Sequence, residues 1–155
     1  MIKMMLTRIM QPTCVKVPVE SKNKRAVIEE LVNLLDSEGL LSSRTEVLDA
    51  VIKREQTRST GIGSGIAIPH GKSTGVKELA MAVGIARDPI DFASVDNKPV
   101  SIVILLVSPP DQTGPHIQAL ARISKMMMDP QFRANLANAR NSEEAYEFLS
   151  RRENM

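Results

Sequence analysis

The sequence predicts an α/β fold in which a single sheet carries helices on both sides. Three observations lead there. The run SIVILLV (Ser101–Val107) is almost wholly apolar, as a strand covered on both faces must be. Shorter strand-like stretches, CVKVPV, IAI and LAMAVGIA, stand elsewhere in the chain. Segments with a helical apolar repeat are interleaved with them, which is the pattern of a layered α/β domain. At 155 residues, one domain spanning 1–155 is expected, long enough to bury a core.

The elements follow in order. CVKVPV (Cys14–Val19) alternates apolar and polar and reads as an edge strand, the only sheet position that tolerates Pro18. Ser21 is placed to cap a helix running to about Glu38, with Val27, Leu31, Leu34 and Leu35 on one stripe and Gly39 as its stop. Ser43-Arg44-Thr45-Glu46 has the form of a capping box, in which hydroxyl and carboxylate exchange bonds with orphan amides. The helix it opens points Val47, Leu48, Val51 and Ile52 inward and leaves Arg54 and Glu55 at its exit. Ile66–Ile68 is a short strand, and Leu79–Ala86 and Ser101–Val107 are two longer ones, separated by a turn at Asp96-Asn97-Lys98-Pro99. From Thr113 a helix is expected to turn Ile117, Leu120, Ala121, Met127 and Met128 inward, with the methionines as core filling. Asp129-Pro130 breaks it. Asn141 or Ser142 caps a last helix with Ala145, Phe148 and Leu149 inward.

Composition narrows the function. Hydrophobic residues make up 43% and charged residues 25%, close to globular averages, and no apolar run reaches the roughly 18 residues that cross a bilayer. The opening MIKMMLTRIM is broken by Lys3 and Arg8 and lacks a small-residue cleavage site, so no signal peptide is expected. A net charge of +2, with one tyrosine, three phenylalanines and no tryptophan, argues against nucleic acid. The basic cluster Lys22, Lys24 and Arg25 reads as a solvated helix start, and the lone Cys14 as a small buried hydrophobe in a cytoplasmic chain.

The segment STGIGSGIAIPHGKS (Ser59–Ser73) carries the chemistry. It misses the phosphate-loop pattern G-x-x-x-x-G-K-[ST] by one residue, and its Ile-Ala-Ile and Pro69 do not suit a loop that offers amides to phosphate. Gly61, Gly63 and Gly65 are spaced G-x-G-x-G, with no helix following, so the dinucleotide pattern fails too. On its own terms the segment holds His70 on a stiff support: Ile66–Ile68 anchors it, Pro69 fixes the backbone before it, Gly71 removes bulk after it and Lys72 adds a cation. The other histidine, His116, also follows a proline, at a helix start whose free amides near Gly114 attract anions. Each alone reads as an ordinary surface or core residue; together they make a place for a phosphoryl group. A zinc site has no C-x-x-C or H-E-x-x-H spacing behind it, and Gly63-Ser64-Gly65 is only a truncated serine-hydrolase elbow. The residues alone give a histidine site on an α/β domain that handles an anion.

The stretch GIGSGIAIPHGK resembles the active-site signature of phosphotransferase-system enzyme IIA domains of the fructose/mannitol class, above all the stand-alone nitrogen-regulatory type. The resemblance extends through DNKPVSIVILLVSPPDQTGPHIQAL and covers nearly the whole chain. It implies a mixed sheet flanked by helices and a phosphocarrier role that needs no cofactor or metal. His70 matches the histidine that takes a phosphoryl group from HPr or its nitrogen-branch equivalent. His116 matches a second histidine that binds phosphoryl oxygens, and Arg54 an assisting arginine, with Arg58 as the alternative. Lys72, Gly71 and Gly114 are the supporting residues. Downstream, an enzyme IIB or a regulatory target is implied, with the regulatory branch favoured by the motif wording and by the lack of fused IIB or IIC segments. The imidazole suits the task because its ordinary pKa of about 6.5 leaves much of it unprotonated near neutrality. Attack from one ring nitrogen leaves the other free to bond a backbone carbonyl.

Overall fold

The computed structural model describes residues 5–154; the start of the opening run, Lys3 included, lies outside them. Two 3-10 turns, Leu6–Arg8 and Pro12–Cys14, lead into β1 (Val15–Lys16). Then come α1 (Lys24–Ser37), α2 (Arg44–Thr57), β2 (Gly61–Gly63), β3 (Ile66–Ala67), β4 (His70–Lys72), β5 (Ala80–Ile90) and β6 (Val100–Ser108). The chain continues with α3 (Thr113–Met126), α4 (Pro130–Ala137) and α5 (Ser142–Glu153). The sheet is mixed, in the order β1-β5-β6-β3-β2, with β4 also paired to β6. β6 is parallel to β3 and β4 and antiparallel to β5, so it lies in the interior, as its apolar run predicts.

Period-two alternation along β6 divides the core. Val103, Leu105 and Val107 meet α1 and α2 through Val27, Leu31, Leu35, Val47 and Val51. Ile102, Ile104 and Leu106 meet α3, α4 and α5 through Ala119, Ile123, Leu136 and Leu149. Each face therefore has its own hydrophobic cluster.

Several local expectations are corrected. β1 is an edge strand but spans only Val15–Lys16, since Cys14 closes a 3-10 turn and Pro18 follows a cis peptide bond outside the pairing. Asn23, not Ser21, caps α1, its side chain accepting from Ala26 N–H at 2.8 Å. Ser21 is engaged elsewhere, its hydroxyl donating to Glu30 at 2.6 Å. The capping box is half made: Ser43 accepts from Glu46 N–H, but the Glu46 carboxylate accepts from the Thr74 hydroxyl, and Ser43 N–H goes to the Gly75 carbonyl. Ile52 is only partly buried, whereas Glu55 is buried.

α3 turns a different face inward than expected. His116, Ala119, Ile123 and Met126 are buried, while Ile117 is 59% exposed, Ala121 is exposed and Leu120 is half-buried. Met127 is buried as expected, but Met128 stands in solvent. A polar residue has taken the first inward position and rotated the apolar Ile117 outward. In α5, capped by Asn141, Ala145 and Leu149 are buried and Phe148 is partly so.

Candidate functional site

The glycine-rich segment is a hairpin. β2 and β3 are antiparallel, joined by Ser64 (φ 58°) and Gly65 (φ 79°), the two positive-φ positions of a turn that suits right-handed strand twist. The close approach permitted by glycine is made by the chain itself: a Cβ on Gly61 would lie 2.2 Å from Ser94 Oγ. Beyond the hairpin, β3 and β4 form one line along β6. Ile66 faces Ile102 and His70 faces Leu106, an unchanged offset of 36 residues (102 − 66 and 106 − 70). Pro69 interrupts the donors but not the register, and its carbonyl still accepts from Leu106 N–H at 3.0 Å. His70 thus opens a sheet strand rather than standing just past one.

That register distributes the site residues. His70 and Lys72 align with Leu106 and Ser108, on the face covered by α3, and Gly71 aligns with Val107, on the face covered by α2. The absence of a side chain at Gly71 serves packing, not openness: a Cβ there would lie 3.2 Å from Val51 N and 3.3 Å from Ala50 C. α2 can therefore lie close against β4, with Arg54 in its last turn.

The two histidines meet. Their ring centroids are 5.7 Å apart with planes at 62°. His70 is half-buried, and its Nδ1 lies 2.8 Å from the Ile68 carbonyl. A carbonyl only accepts, so Nδ1 carries the proton and Nε2 holds the lone pair. Burial lowers the pKa of His70 most; the Ile68 carbonyl opposes this, and the Arg54 charge lowers it further against the pull of Glu55. His116 is 3% exposed, and its Nδ1 lies 2.7 Å from Ser108 Oγ. Burial first, then the charges of His70 and Lys72, push its pKa down to about 4, so both rings are neutral at pH 7.

Cations and donors surround the pair. Lys72 Nζ donates to Thr113 Oγ1 at 3.0 Å, so it reaches the start of α3. Gln112 caps that helix without a side-chain bond, and His116 N–H is already given to the Gln112 carbonyl. Because Pro115 has no N–H, the free amides narrow to Thr113 and Gly114, which have no acceptor outside the helix among the described residues. Arg54 is half-buried, donates from Nη1 to the Arg58 carbonyl at 2.8 Å, and is the arginine whose charge acts on His70; Arg58 is exposed.

Three participants escaped sequence reading. Ser108 closes an apolar strand, and a polar residue at that point is its signal. Thr113 has none. Glu55 is buried at the exit of α2, where its carboxylate accepts from Thr60 N–H at 2.8 Å, from the Thr60 hydroxyl and from Lys24 Nζ at 2.8 Å. Lys24, expected as part of a solvated helix start, therefore has a structural task. Among the described residues, no three His, Cys, Asp or Glu gather as metal ligands, and no helix is long and apolar enough to cross a membrane.

The chain is similar to known proteins. The chain is 34% identical over 147 residues to the fructose-specific EIIABC component of Bacillus subtilis, covering 95% of this chain but only 23% of that protein. It is also 34% identical over 148 residues to the nitrogen regulatory protein of Klebsiella oxytoca, covering 94% of this chain and 90% of the relative. The crystal structure of nitrogen regulatory protein IIA-Ntr from Neisseria meningitidis superposes with a TM-score of 0.83 at 32% identity, over 92% of this chain and 97% of that one. The family described as the phosphoenolpyruvate-dependent sugar phosphotransferase system, EIIA 2, matches residues 8–152. A mixed sheet with a paired-histidine site, joined to these likenesses, makes the chain a member of the EIIA 2 family of that phosphotransferase system.

Proposed function

We propose that the chain, acting as one domain, is a cytoplasmic phosphocarrier that accepts a phosphoryl group on His70. One observation carries this reading: the Ile68 carbonyl occupies His70 Nδ1 at 2.8 Å, which leaves Nε2 as the nucleophile beside a second imidazole. The donor is a phosphohistidine protein of the HPr type. As the N–P bond forms at His70 Nε2, the bond from phosphorus to the donor's imidazole breaks, and that nitrogen keeps the electron pair. Transfer of this kind needs mainly placement and charge stabilisation. His116, Lys72, Arg54 and the amides of Thr113 and Gly114 are positioned to supply them.

Phosphorylation then adds about −1.5 to −2 charge at this surface, enough to admit or repel a partner. The output we favour is regulatory, supported by the likeness to IIA-Ntr. Transfer onward to an enzyme IIB is the second reading, supported by the 34% identical fructose-specific relative, whose name joins A, B and C components. Incubation with phosphoenolpyruvate, enzyme I and an HPr-type protein, followed by native mass spectrometry, tests the first step. An acid-labile phosphoryl adduct on wild type and none on His70→Ala is expected; a label that persists in His70→Ala rejects the assignment. Capture of partners by the two phosphorylation states separates a IIB from a regulatory target.

A further inference from the structure

We propose that Ser108 sets the tautomer of His116: its hydroxyl donates to Nδ1, so the ring offers an N–H donor at Nε2 and no lone pair there. Ser108 is the last residue of β6 and is fully buried. Its Oγ lies 2.7 Å from His116 Nδ1 and has no other polar partner among the described residues. Two proton arrangements fit that distance. If Nδ1–H donated to Oγ, the hydroxyl proton would be buried with no acceptor. If the hydroxyl donates to Nδ1, both atoms are satisfied at once. Buried polar groups adopt the satisfied arrangement because leaving one unpaired forfeits its hydration with nothing in exchange. The lowered pKa of His116 agrees, since a neutral ring has a lone pair for the hydroxyl to meet.

The consequence is an unequal pair. His70 carries its proton on Nδ1, held by Ile68, and keeps a lone pair on Nε2. His116 is set the other way, by a side chain rather than by backbone. A lone pair at His116 Nε2 would repel phosphoryl oxygens and make the ring a rival acceptor; an N–H there binds the oxygens and cannot attack. Ser108 is thus a positioning residue, acting through His116, that determines which of two adjacent imidazoles takes the phosphoryl group. This rests on the phosphocarrier reading for its kinetic consequence but not for the tautomer.

Nitrogen-15 NMR of the two histidine rings, together with transfer kinetics, provides the test. In wild type, His116 Nε2 should be protonated and Nδ1 should show the shift of an unprotonated nitrogen accepting a hydrogen bond. Ser108→Ala should remove the hydrogen-bond shift at Nδ1 and slow transfer about five- to tenfold, the loss of one well-made bond. Ser108→Thr, which retains the hydroxyl, should restore both. A protonated Nδ1 on His116 in wild type overturns the proposal, as does Ser108→Ala transferring at the wild-type rate. Slow transfer in both variants with an unchanged Nδ1 signal also overturns it, because packing rather than the hydroxyl would then matter. If His70→Ala still takes label at a residue other than His116 while the wild-type tautomer is as stated, the placement of the phosphoryl group on His70 fails and the hydrogen-bond assignment stands; label on His116 overturns the claim that this ring cannot attack.

Discussion

α2 and α3 lie on opposite faces of the sheet, and each turns one polar side chain inward. α2 does so at its exit, after the apolar Val47, Leu48 and Val51; α3 does so in its first turn, before Ala119, Ile123 and Met126. The two polar residues are treated differently. Glu55 receives donors from Thr60 N–H, the Thr60 hydroxyl and Lys24, and it ties α1, α2 and the hairpin entrance together. His116 receives one hydroxyl and keeps its second ring nitrogen for something outside the fold. A buried group whose polar atoms all have partners within the fold is a brace; one with a polar atom left over, next to another of its kind, is where reaction can occur.

Glu55→Ala should show the largest effect on stability. It removes a carboxylate that accepts from a buried amide and hydroxyl, so urea unfolding at pH 7 should report a loss of about 2–4 kcal/mol. A loss below about 1 kcal/mol would break the contrast by showing that the brace bears little strain.

His116 should reveal itself through pH. Unfolded, it takes a proton near 6.5; folded, near 4. Between those values the unfolded chain binds more protons than the native one, so this contribution to stability is complete above pH 6.5 and declines as pH falls towards 4. At pH 4.5 the decline should reach about 2–3 kcal/mol. His116→Asn, which cannot take that proton, should show a correspondingly smaller difference between urea unfolding at pH 7 and at pH 4.5. Equal slopes for the two proteins would mean that the ring is solvated in the native state.

Ile117→Ser should produce the smallest change in stability, within about 0.5 kcal/mol, since the side chain already stands in water. Its exposure beside His116 nevertheless predicts slower transfer from the HPr-type donor at low donor concentration, with the rate recovering at saturation. Equal rates at all concentrations would remove this residue from the docking surface.

How far the sequence reached follows the same division. Elements whose inward stripe is apolar were legible: α1 with its stop at Gly39, α2 from its Ser43 cap, and β6 as an interior strand. α3 departs from its expected phase because rules of apolar burial assign Ile117 inward, and they cannot foresee that an imidazole takes the inner position. β2 and β4 were missed because three-residue strands leave no period to count, and Pro69 reads locally as an end. His70, His116, Arg54 and Lys72 were all named from the sequence. Ser108 and Glu55 were not, because their partners lie on other elements and only the tertiary structure brings them together.

The constant 36-residue offset through Pro69 has a bearing on how such a molecule can change. The position of His70 along the domain is measured off β6, not off the glycine-rich turn before it. The turn at Ser64, ahead of the Gly65 carbonyl that accepts from Ser101 and Ile102 N–H, can therefore be altered while the imidazole stays where it is. The hairpin tip and the paired imidazoles sit close in sequence yet are free to evolve apart.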